Sequence, residues 1–129
     1  ISAVNNLEKK LKIPVIIGGD FNSPSHLDWV ESTKKFHYGK VVEWPVSKFM
    51  LEQGYTDSFR EVHLDPSLTL EGTWGYLSQR DIISDRIDFV YYKGNNLKNL
   101  TSKIVMEDPK GGFFNSDHRA ILTKFELKN

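Results

Sequence analysis

Three short runs of this sequence hold the side chains that hydrolytic chemistry needs: Gly19-Asp20-Phe21-Asn22, Asp85-Arg86-Ile87-Asp88-Phe89 and Ser116-Asp117-His118. An aspartate beside a histidine offers one hard oxygen ligand and one group titrating near neutral pH, the combination a metal-dependent hydrolase uses. Asp20 and Asn22 are two residues apart. On an extended segment leaving a strand they project to one side, into the crevice where α/β proteins hold ligands. Phosphoester hydrolysis asks for such groups, because it needs a positioned water, a cation against the phosphoryl oxygens, donors on the phosphate and support for the leaving oxygen. Each run alone also reads as ordinary punctuation: Gly, Asp and Asn dominate turns, and a polar triplet commonly precedes a β-run.

Taken in order, the runs resemble the motifs of the endonuclease/exonuclease/phosphatase superfamily. Gly19-Asp20-Phe21-Asn22 is similar to its G-D-F-N motif, Ile87-Asp88-Phe89 to its I-D-Y strand and Ser116-Asp117-His118 to its S-D-H motif. Between them, Asp57-Ser58-Phe59-Arg60 and Thr73-Trp74 resemble the D-x-x-R and T-W signals of the same superfamily. The resemblance covers nearly the whole chain apart from the stretch around Phe36 to Val42. It implies that Asp20 activates the attacking water or supports the leaving group, and that Asn22 binds the phosphate or orients that water. Asp88 would orient the imidazole of His118, His118 would contact the scissile phosphate, and Asp117 would sit at or beside the metal. Some members carry the orienting aspartate in a D-R-I element, which selects Asp85 instead. Asp85 and Asp88 are an odd number of residues apart, face opposite sides of a strand, and cannot both meet His118. The continuation Phe89-Val90-Tyr91 fits the I-D-Y form, so Asp88 is the expected partner.

The implied fold is α/β: half of a four-layer αββα sandwich, with one mixed β-sheet and helices on one face. Residues 1–129 would be the C-terminal part of the domain. The superfamily's principal metal-binding glutamate belongs to an N-terminal half that this chain does not contain. The implied cofactor, Mg2+ or Mn2+, would then take further ligands from that half, and the chain alone would be a poor enzyme. The rival reading, from another class, is a non-catalytic binding module that keeps the scaffold without the metal.

The elements that must position these residues follow from pattern. Val4, Leu7 and Leu11 recur at helical spacing among polar residues, predicting an amphipathic helix with one buried stripe. Pro14 ends it, and Val15-Ile16-Ile17 predicts a strand buried on both faces. Ser23-Pro24 predicts a helical turn running through Trp29, and Pro45 a helix with Val46, Phe49 and Met50 on one face and Gly54 as its stop. Asp57 is the expected N-cap of a short helix, and Asp65-Pro66-Ser67 a turn. Strands are expected at Ile87–Tyr92, at Ile104–Met106 after the Gly94-Asn95-Asn96 turn, and at Ile121–Leu127. His26 and Trp29 read either as cleft-lining residues or as packed structure, Trp74 as a core or cleft-wall aromatic, and His37 and His63 as surface or structural histidines.

Seventeen basic and seventeen acidic residues leave no net charge, so nothing global favours wrapping nucleic acid, whose affinity rests on neutralising phosphates. Lys34-Lys35 is too small a patch to mark a DNA-tracking face. A small or lipid-derived phosphoester is therefore expected over duplex DNA, the alternative being a DNA endonuclease. With no cysteine, thiolate metal sites and disulfides are excluded. No apolar run approaches the roughly 18 residues of a membrane span.

Overall fold

The computed structural model describes residues 1–75, 84–105 and 116–128, which form a mixed α/β structure. In chain order its elements are α1 (Ser2–Leu11), β1 (Val15–Asp20), α2 (Pro45–Glu52), β2 (Thr56–Asp57), α3 (Ser58–Val62), β3 (Asp88–Lys93), β4 (Leu97–Val105) and β5 (Ala120–Leu127). Single 3-10 helices lie at Glu31–Phe36 and Pro66–Leu68. Pro45 opens α2 at its first position, where a missing N–H costs nothing, and Gly54 stops the chain just beyond it at φ 81°. Asp57 caps α3, its carboxylate accepting from Phe59 N at 3.0 Å and Arg60 N at 3.3 Å.

The strands pair in two antiparallel sheets, β1-β3-β2 and β4-β5, and not in the single mixed sheet expected. The β4 and β5 strands are joined as a ladder, with Leu97 opposite Leu127 and Val105 opposite Ala120. Against this sheet lies α3, its Ser58 carbonyl accepting from Asn99 Nδ2 at 2.8 Å. In β3 the alternation sends Phe89 and Tyr91 into a core with Met50 and Tyr55, packed by Val15, Ile17, Phe21 and Leu51. Phe21 meets Phe89 and Tyr91 edge-on at 5.6 and 5.3 Å, the arrangement that suits opposed ring quadrupoles.

Three further expectations are corrected. The helical turn expected from Ser23-Pro24 is a single turn that begins at Ser25: its hydroxyl accepts from Leu27 N as a cap does, its carbonyl accepts from Asp28 N and Trp29 N, and no regular helix follows before the 3-10 helix at Glu31. The apolar stripe of α1 is not buried: Leu7 is 54% and Leu11 53% exposed. The helix docks through its polar side instead, Asn5 bonding to Gln53 and to the Tyr55 hydroxyl. Finally, β1 is covered on one face only, with Ile16 52% exposed on the other. Met106, expected at the end of a strand, lies outside the described residues. Among the described residues no helix is long and apolar enough to cross a membrane.

Candidate functional site

Register brings the first two motifs together. β1 and β3 are antiparallel neighbours with Val15 opposite Lys93 at one end and Asp20 opposite Asp88 at the other. Directly opposed residues share a face, so both carboxylates stand on the side of the sheet away from the aromatic core. The third motif reaches them through Trp74, which bridges to both Asp85 and His118 just before β5 begins. His118 Nδ1 lies 2.9 Å from Asp88 Oδ2. Asp20, Asp88 and His118 each offer a ligand atom within 4.8 Å of the others. Hydrogen bonding to Asp88 raises the His118 pKa above its ordinary value, with the Asp88, Asp117 and Asp20 charges adding to it. With Nδ1 turned to the carboxylate, Nε2 is the ring nitrogen outside that pair.

Asp85 points elsewhere: its carboxylate accepts from Trp29 Nε1 at 3.0 Å, and burial pushes its pKa up. Asp88 is thus the aspartate on the ring, in keeping with strand parity. Asn22 departs from the extended geometry expected of it. It sits at φ 48°, and its backbone N–H donates to Asp20 Oδ1 at 2.7 Å, so the strand ends in a tight turn that fixes the Asp20 carboxylate and leaves Asn22 exposed. Asp117 is exposed, its Oδ1 4.0 Å from His118 Nε2 and its Oδ2 accepting from Trp74 Nε1 at 3.3 Å. Trp74, 47% exposed, is not a core residue. An open cavity of about 630 Å3 adjoins His118, with Gly18, Val90, Val105 and Ile121 among its lining.

The remaining histidines are structural. The His26 ring bonds to Ser47 Oγ at 2.8 Å, and His26 N donates to the same hydroxyl, fixing the 23–30 loop to α2. His37 stacks on Trp29 at 4.3 Å, and Trp29 meets Trp44 edge-on, so Trp29 is packed. His63 Nε2 lies 2.8 Å from the Ser102 carbonyl.

Sequence reasoning passed over the buried frame behind the site. Asp28 Oδ1 accepts from Arg60 Nε at 2.5 Å and Arg86 NH2 at 3.0 Å, and Asp28 Oδ2 from Arg86 Nε at 3.0 Å. Arg86 also pairs with Asp57, NH1 to Oδ1 at 3.0 Å and NH2 to Oδ2 at 2.8 Å. This guanidinium immediately precedes Ile87-Asp88 and so anchors the start of β3. The signals were present in Asp57-x-x-Arg60 and Asp85-Arg86-Ile87, but Asp28 sits in a run read for its histidine and tryptophan.

As to what could hold a cation, the ligand atoms that come together are those of Asp20, Asp88 and His118; Asp117, the expected metal ligand, is not one of them, its Oδ1 lying 4.0 Å from His118 Nε2. Two carboxylates beside an imidazole suit a hard divalent ion, which prefers oxygen ligands.

No family model matches the chain. It is 42% identical over 98 residues to F14F9.5, an uncharacterized protein of Caenorhabditis elegans. The match takes in 68% of this chain and 31% of that protein, so the chain spans about a third of the length of the relative it matches. The likeness brings no activity with it.

Proposed function

We propose that this chain carries part of the catalytic site of a divalent-metal-dependent phosphoester hydrolase, a phosphodiesterase or phosphatase of the endonuclease/exonuclease/phosphatase type. The observation that carries the reading is the meeting of Asp20, Asp88 and His118 from three segments distant in sequence, with Nδ1 of the ring held by Asp88. Asp88 fixes the tautomer of His118 and stabilises its charged form, leaving Nε2 to hold or pass a proton at the phosphate. Asp20, held by the Asn22 amide, is placed to take a proton from water or to support the departing oxygen, and Asn22 to bind the phosphate or orient that water. Asp117, at the lip of the cluster, would hold Mg2+ or Mn2+ together with ligands from residues beyond this chain. Such an ion supplies charge against the phosphoryl oxygens.

The finer architecture belongs to the same proposal: a C-terminal half of a four-layer sandwich, completed by an N-terminal half. The exposed Leu7, Leu11, Ile13 and Ile16 suit burial under such a partner. A small or lipid-derived phosphoester is the favoured substrate, in keeping with the neutral charge balance and the apolar cavity beside His118.

The test is turnover of a bis-aryl phosphodiester with Mg2+ or Mn2+ by the full-length protein and by residues 1–129. The full-length protein should be active, and His118→Ala should lower its turnover by about a hundredfold or more, as losing an acid/base group typically does. Residues 1–129 should be far slower. An unaffected His118→Ala enzyme would sink the reading, as would a metal-independent one.

A further inference from the structure

Residue 73 ties the segments of the proposed site together through its side chain and both of its backbone polar groups. Thr73 is fully buried, and its hydroxyl oxygen accepts from two successive backbone amides, Ile87 N and Asp88 N, each at 3.0 Å. Its own N–H donates to the Asp85 carbonyl at 3.0 Å, and its carbonyl accepts from Arg119 N at 2.7 Å. Arg119 is the residue after His118. The short segment that ends in Trp74 is therefore bonded on one side to the strand carrying Asp88 and on the other to the residue following the imidazole.

The start of β3 explains why a hydroxyl is needed. Ile87 gives its carbonyl to Phe21 N at 2.9 Å, continuing the pairing with the β1 side. On its other side β2 reaches only Tyr91 and Tyr92, so the sheet provides no partner strand at Ile87 and Asp88. Buried amides need acceptors, and a hydroxyl oxygen has two lone pairs, enough for both. The substitution of this group by a methyl of the same shape leaves packing intact and both donors orphaned.

We propose that Thr73 is a positioning residue of the proposed hydrolytic site, its hydroxyl fixing Asp88 and its carbonyl fixing the His118 segment so that carboxylate and imidazole hold their 2.9 Å contact. This rests on the hydrolase reading for its kinetic consequence and on the hydrogen bonds alone for its structural one. It acts through Asp88 and His118 and touches no substrate.

The experiment compares wild type, Thr73→Val, Thr73→Ser and Thr33→Val in the full-length protein. Thr33 is equally buried, and its hydroxyl accepts from Val30 N at 3.1 Å and donates to the Asp28 carbonyl, so Thr33→Val removes a buried hydroxyl and orphans a backbone amide away from the cleft. The first readout is amide hydrogen exchange. In wild type the Ile87 and Asp88 amides should be strongly protected; Thr73→Val should speed both by about tenfold or more, and Thr73→Ser should restore them, as expected when a buried donor loses and regains its acceptor. The second is turnover on a bis-aryl phosphodiester. Thr73→Val should lower kcat by about ten- to a hundredfold with KM little changed, the size of effect a small misplacement of catalytic groups produces. Thr73→Ser should recover most of it, and Thr33→Val should not reproduce it. Unprotected Ile87 and Asp88 amides in wild type would overturn the proposal even if Thr73→Val failed to fold. So would a Thr73→Val enzyme with kcat no lower than that of Thr33→Val. A wild-type protein without phosphoesterase activity would refute the hydrolase reading and leave the exchange data to judge the hydroxyl's hold on the two amides.

Discussion

Replacing Asp28 with asparagine, equal in size and uncharged, should cost the fold about 3–5 kcal/mol, the range for removing one partner of a buried ion pair. The surroundings of Asp28 place it in that range. Its two oxygens take three donors from Arg60 and Arg86, both buried. After Asp28→Asn, Arg86 keeps Asp57, while Arg60 is left with the neutral oxygens of His63 and Thr69. One of the two buried cations is then left without a carboxylate, and the new amide turns its own donors toward theirs. A surface ion pair would cost about 1 kcal/mol or less, so the measurement discriminates. Against a whole stability of about 5–15 kcal/mol, the loss is large.

The pH dependence of the same variant is fixed in sign. Burial pushes the Asp28 carboxyl up, but the Arg86 and Arg60 guanidiniums overcome it and hold the pKa below its ordinary value. A depressed folded pKa contributes stability that is present above the unfolded value, about 3.9, and is lost as pH falls through the folded one. The gap between wild type and Asp28→Asn should be full at neutral pH and narrow on acidification below about pH 4. Urea unfolding followed by fluorescence of the three tryptophans reads both. A gap under about 1 kcal/mol at neutral pH, or one that widens in acid, would refute the reasoning.

In the metal-free protein, Asp88→Asn should bring the His118 titration down toward the ordinary histidine value of about 6.5, because the Asp88 hydrogen bond is the main cause of its rise. NMR titration of the ring would measure it, and an unmoved value would assign the shift elsewhere. Asp57→Ala should destabilise by more than the roughly 1 kcal/mol of a lost helix cap, since the same carboxylate also neutralises Arg86; chemical denaturation showing only the cap's worth would mean the ion pair contributes nothing net. Binding of the full-length protein to abasic and intact duplex DNA should be weak across a salt series. Sub-micromolar affinity with a steep salt slope would instead make DNA the substrate, because that slope counts neutralised phosphates.

Local signals carried the elements whose causes are local. Pro45 at a helix start, Gly54 past its end, Asp57 as a cap and the alternation along β3 each act within a few residues, and each is found where the sequence placed it. Parity along the strand allowed only one of Asp85 and Asp88 to meet His118, and the resemblance of Ile87-Asp88-Phe89 to the I-D-Y form selected Asp88, which is the one on the ring. The readings that failed depended on what lies across from a residue. The spacing of Leu7 and Leu11 makes one side of α1 apolar, but whether that side is covered depends on neighbours, and here Asn5 docks the helix by its other side. Ser23-Pro24 looked like the start of the turn, which is instead capped by Ser25 and ends after one turn.

The sequence by itself determined which residues are chemically able, since the Asp, Asn and His of those short runs can ligate, orient or move a proton. Tertiary structure decided that they meet. The β1–β3 register sets Asp20 against Asp88, Thr73 and Trp74 link the Asp88 strand to the His118 segment, and the paired charges of Asp28, Asp57, Arg60 and Arg86 hold the frame behind them. The physical reason is range: caps, turns and alternation are set by neighbours in the chain, whereas register and buried ion pairs join residues about thirty to eighty positions apart, which no local pattern encodes.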